Sequence, residues 1–410
     1  MSQRVHYCLE RRQSNKLIVI ILFAIYPIIA LPFILIEISY KKKYAFILLA
    51  LFLGYLGLLY PPFGDFYHYA EDYELYSLCS YDELMEVLTL KLKMDKLFPI
   101  FLWTLGKLHI PSDFGRFITT FISFLLLFSI LYDIVKKTTV SRTETLYYVF
   151  ALICFFPFYN FIQRYCFSLS LFVFATYRLF FYNKIKYIIF IVIACLNHFA
   201  FLVPSIVLAF FIISKLKFSR NIIPWLMLLS FVFSFDILTP LISLLPIDAY
   251  VAVHLFEYID GFWANDYVSE NTLFFQIYYI LGKAGFYFCC FFIYTNYRNT
   301  IWERFIVYLL ILLLFCSPFK GVYDRYFSIA TMVMFIDVIL YMSENSIKSK
   351  TETIFKMICV LLFVINLWGV RRQLSVSEER LIFAPSYFIL THTYDSNWRH
   401  RTLDSEGNLP

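Results

Sequence analysis

Apolar runs of about twenty residues recur along this chain, and short clusters of lysine and arginine separate them. A helix needs ~20 apolar residues to cross the hydrocarbon core, and inside lipid every backbone polar group must be satisfied within its own element. Runs of that length point to helices rather than to a barrel. Composition agrees: of 410 residues, 61% are hydrophobic and only 16% charged, whereas a soluble domain carries about 25% charged residues. With a mean hydropathy of +0.70, the chain has more apolar surface than one soluble core can hide. The expected fold is all-α, a polytopic membrane bundle of about twelve spans with one short re-entrant or interfacial helix and two external loops.

The apolar segments are 17–38, 44–60, 114–134, 146–162, 165–182, 187–198, 200–213, 222–245, 273–295, 301–318, 326–342 and 354–370, and 97–110 is a shorter run suited to lying at the interface. No small-residue cleavage motif follows 17–38, so this run reads as a span and not as a removable signal. Residues 1–370 form one membrane domain and 371–410 a polar tail.

Orientation follows from the basic clusters: Lys41 to Lys43, then Lys136, Lys137 and Arg142, then Arg178, Lys184 and Lys186, then Lys215, Lys217 and Arg220, then Arg298 and Arg304, then Lys348, Lys350 and Lys356. Cytoplasmic loops carry the excess of Lys and Arg. Putting every cluster inside leaves segments 61–113 and 246–272 outside, and the tail with them. It also puts the N-terminus outside, against the pull of Arg4, Arg11, Arg12 and Lys16. Residues 187–213 have basic clusters at both ends but are short for two full spans. They read as a shallow hairpin broken near Asn197–His198, with His198 at the outer face; the alternative is one long tilted helix with a satisfied, buried histidine.

The net charge of +6 is dispersed among these loops and is no nucleic-acid footprint. Seven of the nine cysteines sit in or beside apolar runs, where the thiol acts as a small hydrophobe. There is no CxxC or HExxH spacing. Eleven glycines are few for a transporter that rocks about broken helices.

Three stretches carry chemistry. In "GDFYHYAEDYELY" (64–76), helical spacing puts Asp65, His68 and Asp72 on one face and Tyr69, Tyr73 and Tyr76 on an adjoining one. Such carboxylates can accept from sugar hydroxyls or act as bases, and tyrosine faces can stack on sugar rings. The same pattern also fits an interfacial helix with tyrosines at headgroup level, or a metal site. In "YNFIQRYCFSLSLFVFATYRLF" (159–180), Arg164 stands at the outer edge of a span, where its fork suits a phosphate or simply snorkels. In "SPFKGVYDRYFSIATM" (317–332), Lys320, Asp324 and Arg325 share a turn: two cations to join Arg164 around a diphosphate, or an Asp324–Arg325 pair capping the next helix. Two further ionisable residues, Lys283 and Asp236, lie inside apolar runs and call for a partner, which each could give the other, or for a water-filled cavity.

The order of a short early hairpin, an external "GDFYHYAEDYELY", "QRYCFSLSLFVFA", "ACLNHFAFLVPSIV" and a late "YDRYFSI" resembles the EpsG-like branch of the Wzy polysaccharide polymerases, the O-antigen polymerases. The resemblance spans about residues 20 to 370; the basic N-terminal extension and the tail depart from it. It implies a glycosyltransferase at the outer face of the bacterial inner membrane. The enzyme would pass a growing glycan from undecaprenyl diphosphate to the non-reducing end of the next lipid-linked repeat. The matching positions are Asp65, Tyr69, Tyr73, Arg164, His198 and Arg325. Arg164, Arg325 and Lys320 would hold the diphosphate, Tyr69 and Tyr73 the sugars, and Asp65, Asp72 or His198 would serve as base. No cofactor or metal is expected. The partners would be the undecaprenyl-diphosphate-linked oligosaccharide, membrane lipid and a chain-length regulator, with no nucleic acid. Rival readings are a lipid-linked oligosaccharide flippase, a membrane O-acyltransferase and a ligase.

Overall fold

A computed structural model describes residues 16–90, 95–156, 164–214, 216–232, 280–317, 320–345, 349–404 and 407. Among the described residues every regular element is helical. The helices are α1 (Lys16–Ile25), α2 (Pro27–Ser39), α3 (Lys43–Leu59), α4 (Asp65–Leu78), α5 (Tyr81–Leu90), α6 (Leu97–Lys107), α7 (Asp113–Lys137), α8 (Arg142–Phe155), α9 (Tyr165–Tyr182), α10 (Ile188–Asn197), α11 (Leu202–Ser214) and α12 (Ile222–Val232). After them come α13 (Ala284–Asn296), α14 (Ile301–Cys316), α15 (Lys320–Glu344), α16 (Ser349–Gly369), α17 (Arg371–Val376), α18 (Ser386–Thr391) and α19 (Ser396–Thr402). Against the expectation of about twelve spans, four described helices, α7, α9, α15 and α16, are long and apolar enough to cross a membrane. Much of the remaining apolar sequence forms shorter helices. The external segment 246–272 and Asp236 lie outside the described residues.

One end of the bundle gathers the basic clusters. There Lys41 donates to the Thr138 carbonyl at 3.1 Å and Arg142 to the Tyr40 hydroxyl at 2.9 Å. Lys137 donates to the Tyr182 hydroxyl at 2.8 Å, and Arg178 pairs with Asp133. Two helices start at this end with reciprocal capping boxes, Ser141 with Glu144 and Thr300 with Glu303, so their first N–H groups are satisfied locally. Glu303 also holds Arg298, whose guanidinium reaches Asp337 at 3.4 Å and Glu344 at 3.1 Å. The opposite end carries α4, α5 and α6.

The first apolar run is not one crossing. Tyr26 is extended and Pro27 opens a new helix, so α1 and α2 form a half-height hairpin. Phe23 stacks on Tyr55 in the outer half of α3, while Lys16 lies 5.5 Å over the ring of Tyr44, beside the start of α3. The described chain thus begins at the basic end. Such a hairpin returns the chain to the end from which it came, and residues 1–15 lie outside the described residues. By contrast, 185–214 folds as expected: α10 and α11 meet at an extended His198, at the end of the bundle opposite the basic loops.

The core is built by close helix approach. α3 packs on α7 through Gly57, where a Cβ would come within 2.6 Å of Thr120 Oγ1. Above that contact Arg116 and Asp113 pair at 2.5 Å, each almost wholly buried, and Arg116 also donates to the Gly57 carbonyl at 3.3 Å. The tail is not a loose appendage. Its 3₁₀ turn (Glu379–Phe383) and α18 pack on α3 where the short hairpin leaves it uncovered, and Ser386 donates to the Phe23 carbonyl at 3.0 Å.

Candidate functional site

The site forms at the end of the bundle opposite the basic loops, where the N-terminal end of α9, the α10–α11 break, the start of α15 and the face of α4 meet. Arg164 immediately precedes α9. Its guanidinium pairs with Asp95, in the segment leading into α6, and lies 5.7 Å from the ring centre of Tyr69 and 5.6 Å from that of Phe98. Tyr69 in turn packs edge-on against Phe98 at 4.7 Å. The Tyr69 hydroxyl lies within hydrogen-bonding reach of Arg164. Burial pushes its pKa up, and the charges of Arg164 and Arg325 only partly offset this. Tyr69 therefore stays a neutral hydroxyl, able to donate or accept.

Arg325 enters from α15. Its main-chain carbonyl accepts a hydrogen bond from Tyr165, the first residue of α9, which ties the two helix ends together. The charges of Arg325 and Arg164 both act on Tyr69 and both act on His198. The Arg164 guanidinium thus lies by Tyr69, while the Arg325 main chain is tied to Tyr165, whose ring packs on His198.

His198 stands in the helix break with its ring edge-on to Tyr165 at 5.6 Å. Its Nδ1 accepts from the Ala200 N–H at 3.2 Å, so the neutral ring carries its proton on Nε2 and offers that N–H as a donor. The neighbouring Asn197 donates to the Arg164 carbonyl at 2.8 Å and to the Ser168 hydroxyl at 2.9 Å. That amide pins the break onto the first turn of α9.

The other expected residues divide. Asp65 is solvent-exposed at the first turn of α4 and acts on Tyr69 through its charge. Asp72 is partly buried one turn past Tyr69. Tyr73 is drawn away from the arginines, its hydroxyl bonded to the Ile110 carbonyl at 2.9 Å. His68 is exposed and turned to Glu71 at 3.2 Å, so the Asp65, His68 and Asp72 face does not gather a metal site; no His, Cys, Asp and Glu group of that kind occurs among the described residues. Lys320 opens α15, and its side chain lies outside the description.

Lys283 caps the start of α13 and pairs with Asp324 at 3.6 Å, its ammonium 4.7 Å over the ring of Tyr323. Asp324 thus meets Lys283, and the expected pairing of Lys283 with Asp236 falls outside the described residues. A third cation thereby joins the outer end of α15. Sequence reading missed Asp95, Tyr165 and Asn197 as site-builders. Asp95 stood out only as an acid among lysines in "KLKMDK", and Asn197 only as the neighbour of His198.

In a comparison with protein-family models, the one described as the EpsG family matches residues 42–378, which include Tyr69, Arg164, His198 and Arg325. Neither the curated proteins nor the solved structures compared give a match. With well over half of its length matched, the chain belongs to the EpsG family.

Proposed function

We propose that this protein is a membrane glycosyltransferase of the polysaccharide-polymerase kind, an O-antigen-type polymerase working on the non-cytoplasmic face. It transfers a glycan from undecaprenyl diphosphate to the non-reducing end of another lipid-linked repeat. The observation that carries this reading is that one end of the bundle gathers the Arg164 guanidinium by Tyr69 and ties the Arg325 main chain, through Tyr165, beside His198. A lipid-tethered diphosphate must be gripped at one end of the bundle, and planar guanidinium forks match phosphate oxygens. The contact between Arg164 and Asp95 supports it too, since a carboxylate already sits on the guanidinium a phosphate oxygen would engage.

In the reaction, the acceptor oxygen bonds to the anomeric carbon as the bond to the diphosphate breaks. The electron pair leaves with the phosphate oxygen, and Arg164 and Arg325 stabilise the charge gathering there. His198, with Nδ1 engaged, donates through Nε2 to the same diphosphate. The acceptor proton falls to a carboxylate of this wall, Asp95, Asp65 or Asp72. Tyr69 meets the sugar beside the diphosphate. The anionic leaving group departs to two cations, so the residues suffice without a metal.

The test is reconstitution. Purified protein supplied with lipid-diphosphate repeats should yield a ladder of lengthened glycans. Arg164→Ala and Arg325→Ala should each leave single repeats. A ladder from both variants would overturn the clamp, and translocation without lengthening would favour the flippase. An acyltransferase drawing a cytoplasmic donor needs its histidine at the basic end, and His198 lies at the other.

A further inference from the structure

We infer that the C-terminal strap, residues 379–407, seats α4 against the arginine site, with Arg399 and Gly407 as positioning residues. That α4 serves the site rests on the proposed function; that the strap holds α4 does not. The strap lies wholly beyond the family match, which ends at residue 378.

α4 needs such support. Its cap, Gly64, sits at φ +51 and supplies no side-chain bond to the first turn. A polar helix of fourteen residues is marginal alone in water. Its two long faces are held by different partners. Tyr69, Tyr73 and Tyr76 face the α6 side, and Tyr69 also meets Arg164. Tyr67 and Glu74, seven residues apart and so on one helix face, turn to the strap.

The strap grips α4 and the two residues that lead into it at three points. The Gly64 N–H donates to the Gly407 carbonyl at 2.9 Å, at the start of α4. Arg399, almost wholly buried, pairs with Glu74 two turns further on. Trp398 packs edge-on against Phe63 at 6.5 Å. Gly407 is required twice over: its φ is +77, and a Cβ there would stand 2.5 Å from the Cβ of Tyr67. The strap is itself moored below. Tyr394 donates through its N–H to Asp113 at 2.8 Å and through its hydroxyl to the Leu59 carbonyl at 2.7 Å. α4 is therefore wedged between a moored strap and the α6–Arg164 wall, and a slip of the strap moves Tyr69.

The test uses the full-length protein in lipid nanodiscs. In Arg399→Gln and Gly407→Val, amides of α4 should exchange roughly tenfold faster while those of α9 keep their protection. The double swap Arg399→Glu with Glu74→Arg should restore α4. In the same variants the KM for lipid-diphosphate repeats should rise with kcat largely kept. Unchanged α4 exchange, or faster exchange throughout the bundle, overturns the inference. So does a loosened α4 with unmoved kinetics. A wild-type protein that makes no polymer removes the functional reading, and the exchange measurement then decides the strap alone.

Discussion

Asn197 binds the main-chain carbonyl of Arg164 at 2.8 Å, joining the break of one hairpin to the entrance of the neighbouring span. The same amide holds Ser168 at 2.9 Å. The bond acts on the backbone and leaves the guanidinium to face Tyr69 and Asp95. His198 is placed by the same contact, since it follows Asn197 directly. One side chain thus fixes the relative position of two of the residues on which the proposed chemistry rests.

Asn197→Ala should therefore impair function more than stability. Two side-chain bonds are lost, while the Arg164 carbonyl keeps the Ser168 N–H at 3.1 Å, a cost of about 1–3 kcal/mol. Thermal unfolding should drop modestly, while polymer yield falls by an order of magnitude or more. Equal losses in both would assign Asn197 to stability alone.

Arg164→Lys keeps the charge and loses the planar fork. Because Lys offers a point charge where two oxygens must be met, polymerisation should fall nearly as far as in Arg164→Ala. Retention of most activity would show that only charge is needed there. Lengthening of lipid-linked repeats is the readout.

Tyr165→Phe removes the hydroxyl that ties α9 to the Arg325 carbonyl. Packing on Phe201 and His198 remains, and the Arg325 carbonyl keeps its place in the α15 ladder, so the fold should persist at a cost of about 0.5–1.5 kcal/mol for the one lost bond. The start of α15, which carries Arg325, would then lose its tie to α9. The expected outcome is weaker binding of the lipid diphosphate with a normal expression level.

Asp113→Ala should be the most damaging change away from the site. It strips the buried Arg116 of its 2.5 Å partner and Tyr394 of its N–H acceptor. An uncompensated buried charge costs about 3–5 kcal/mol. The protein should express poorly, and the strap of any surviving fraction should be open to proteases. Normal yield and a protected strap would contradict the burial of that pair.

The strap should also respond to pH. His392 packs edge-on to Tyr394 at 4.7 Å, and its Nε2 is buried without a partner. Burial pushes its pKa below the ordinary value of about 6.5, Arg116 adds to the shift, and Asp113 and Glu378 oppose it. The folded pKa lies below the unfolded one. Docking is therefore firmest above about pH 6.5 and weakens as pH falls through the folded value, because the released strap binds the proton more tightly. Proteolysis of the strap should rise between pH 7 and 5 in the wild type and stay flat in His392→Asn.

Much of the bundle was legible from residue pattern alone, because lipid allows few solutions. A run of the right length must be helical, and helix ends follow from capping residues and basic clusters. α9, the polar helix α4 and the break at His198 all fall where the sequence puts them. The first run, 17–38, misled because its hydropathy is continuous through Tyr26–Pro27, and only tertiary contacts show a hairpin there.

The site was half legible. Arginines at the edges of spans stand out because charge is costly there, so Arg164 and Arg325 could be named in advance. Which groups meet them could not. Asp95, Tyr165, Asn197 and the strap come from distant parts of the chain, and their roles depend on helix ends brought together by packing. The sequence by itself determined that the chain is helical and membrane-embedded, and which of its charges needed partners. Tertiary structure alone decided who those partners are: local pattern encodes the period and length of an element, but not which side chain stands opposite across a packed interface.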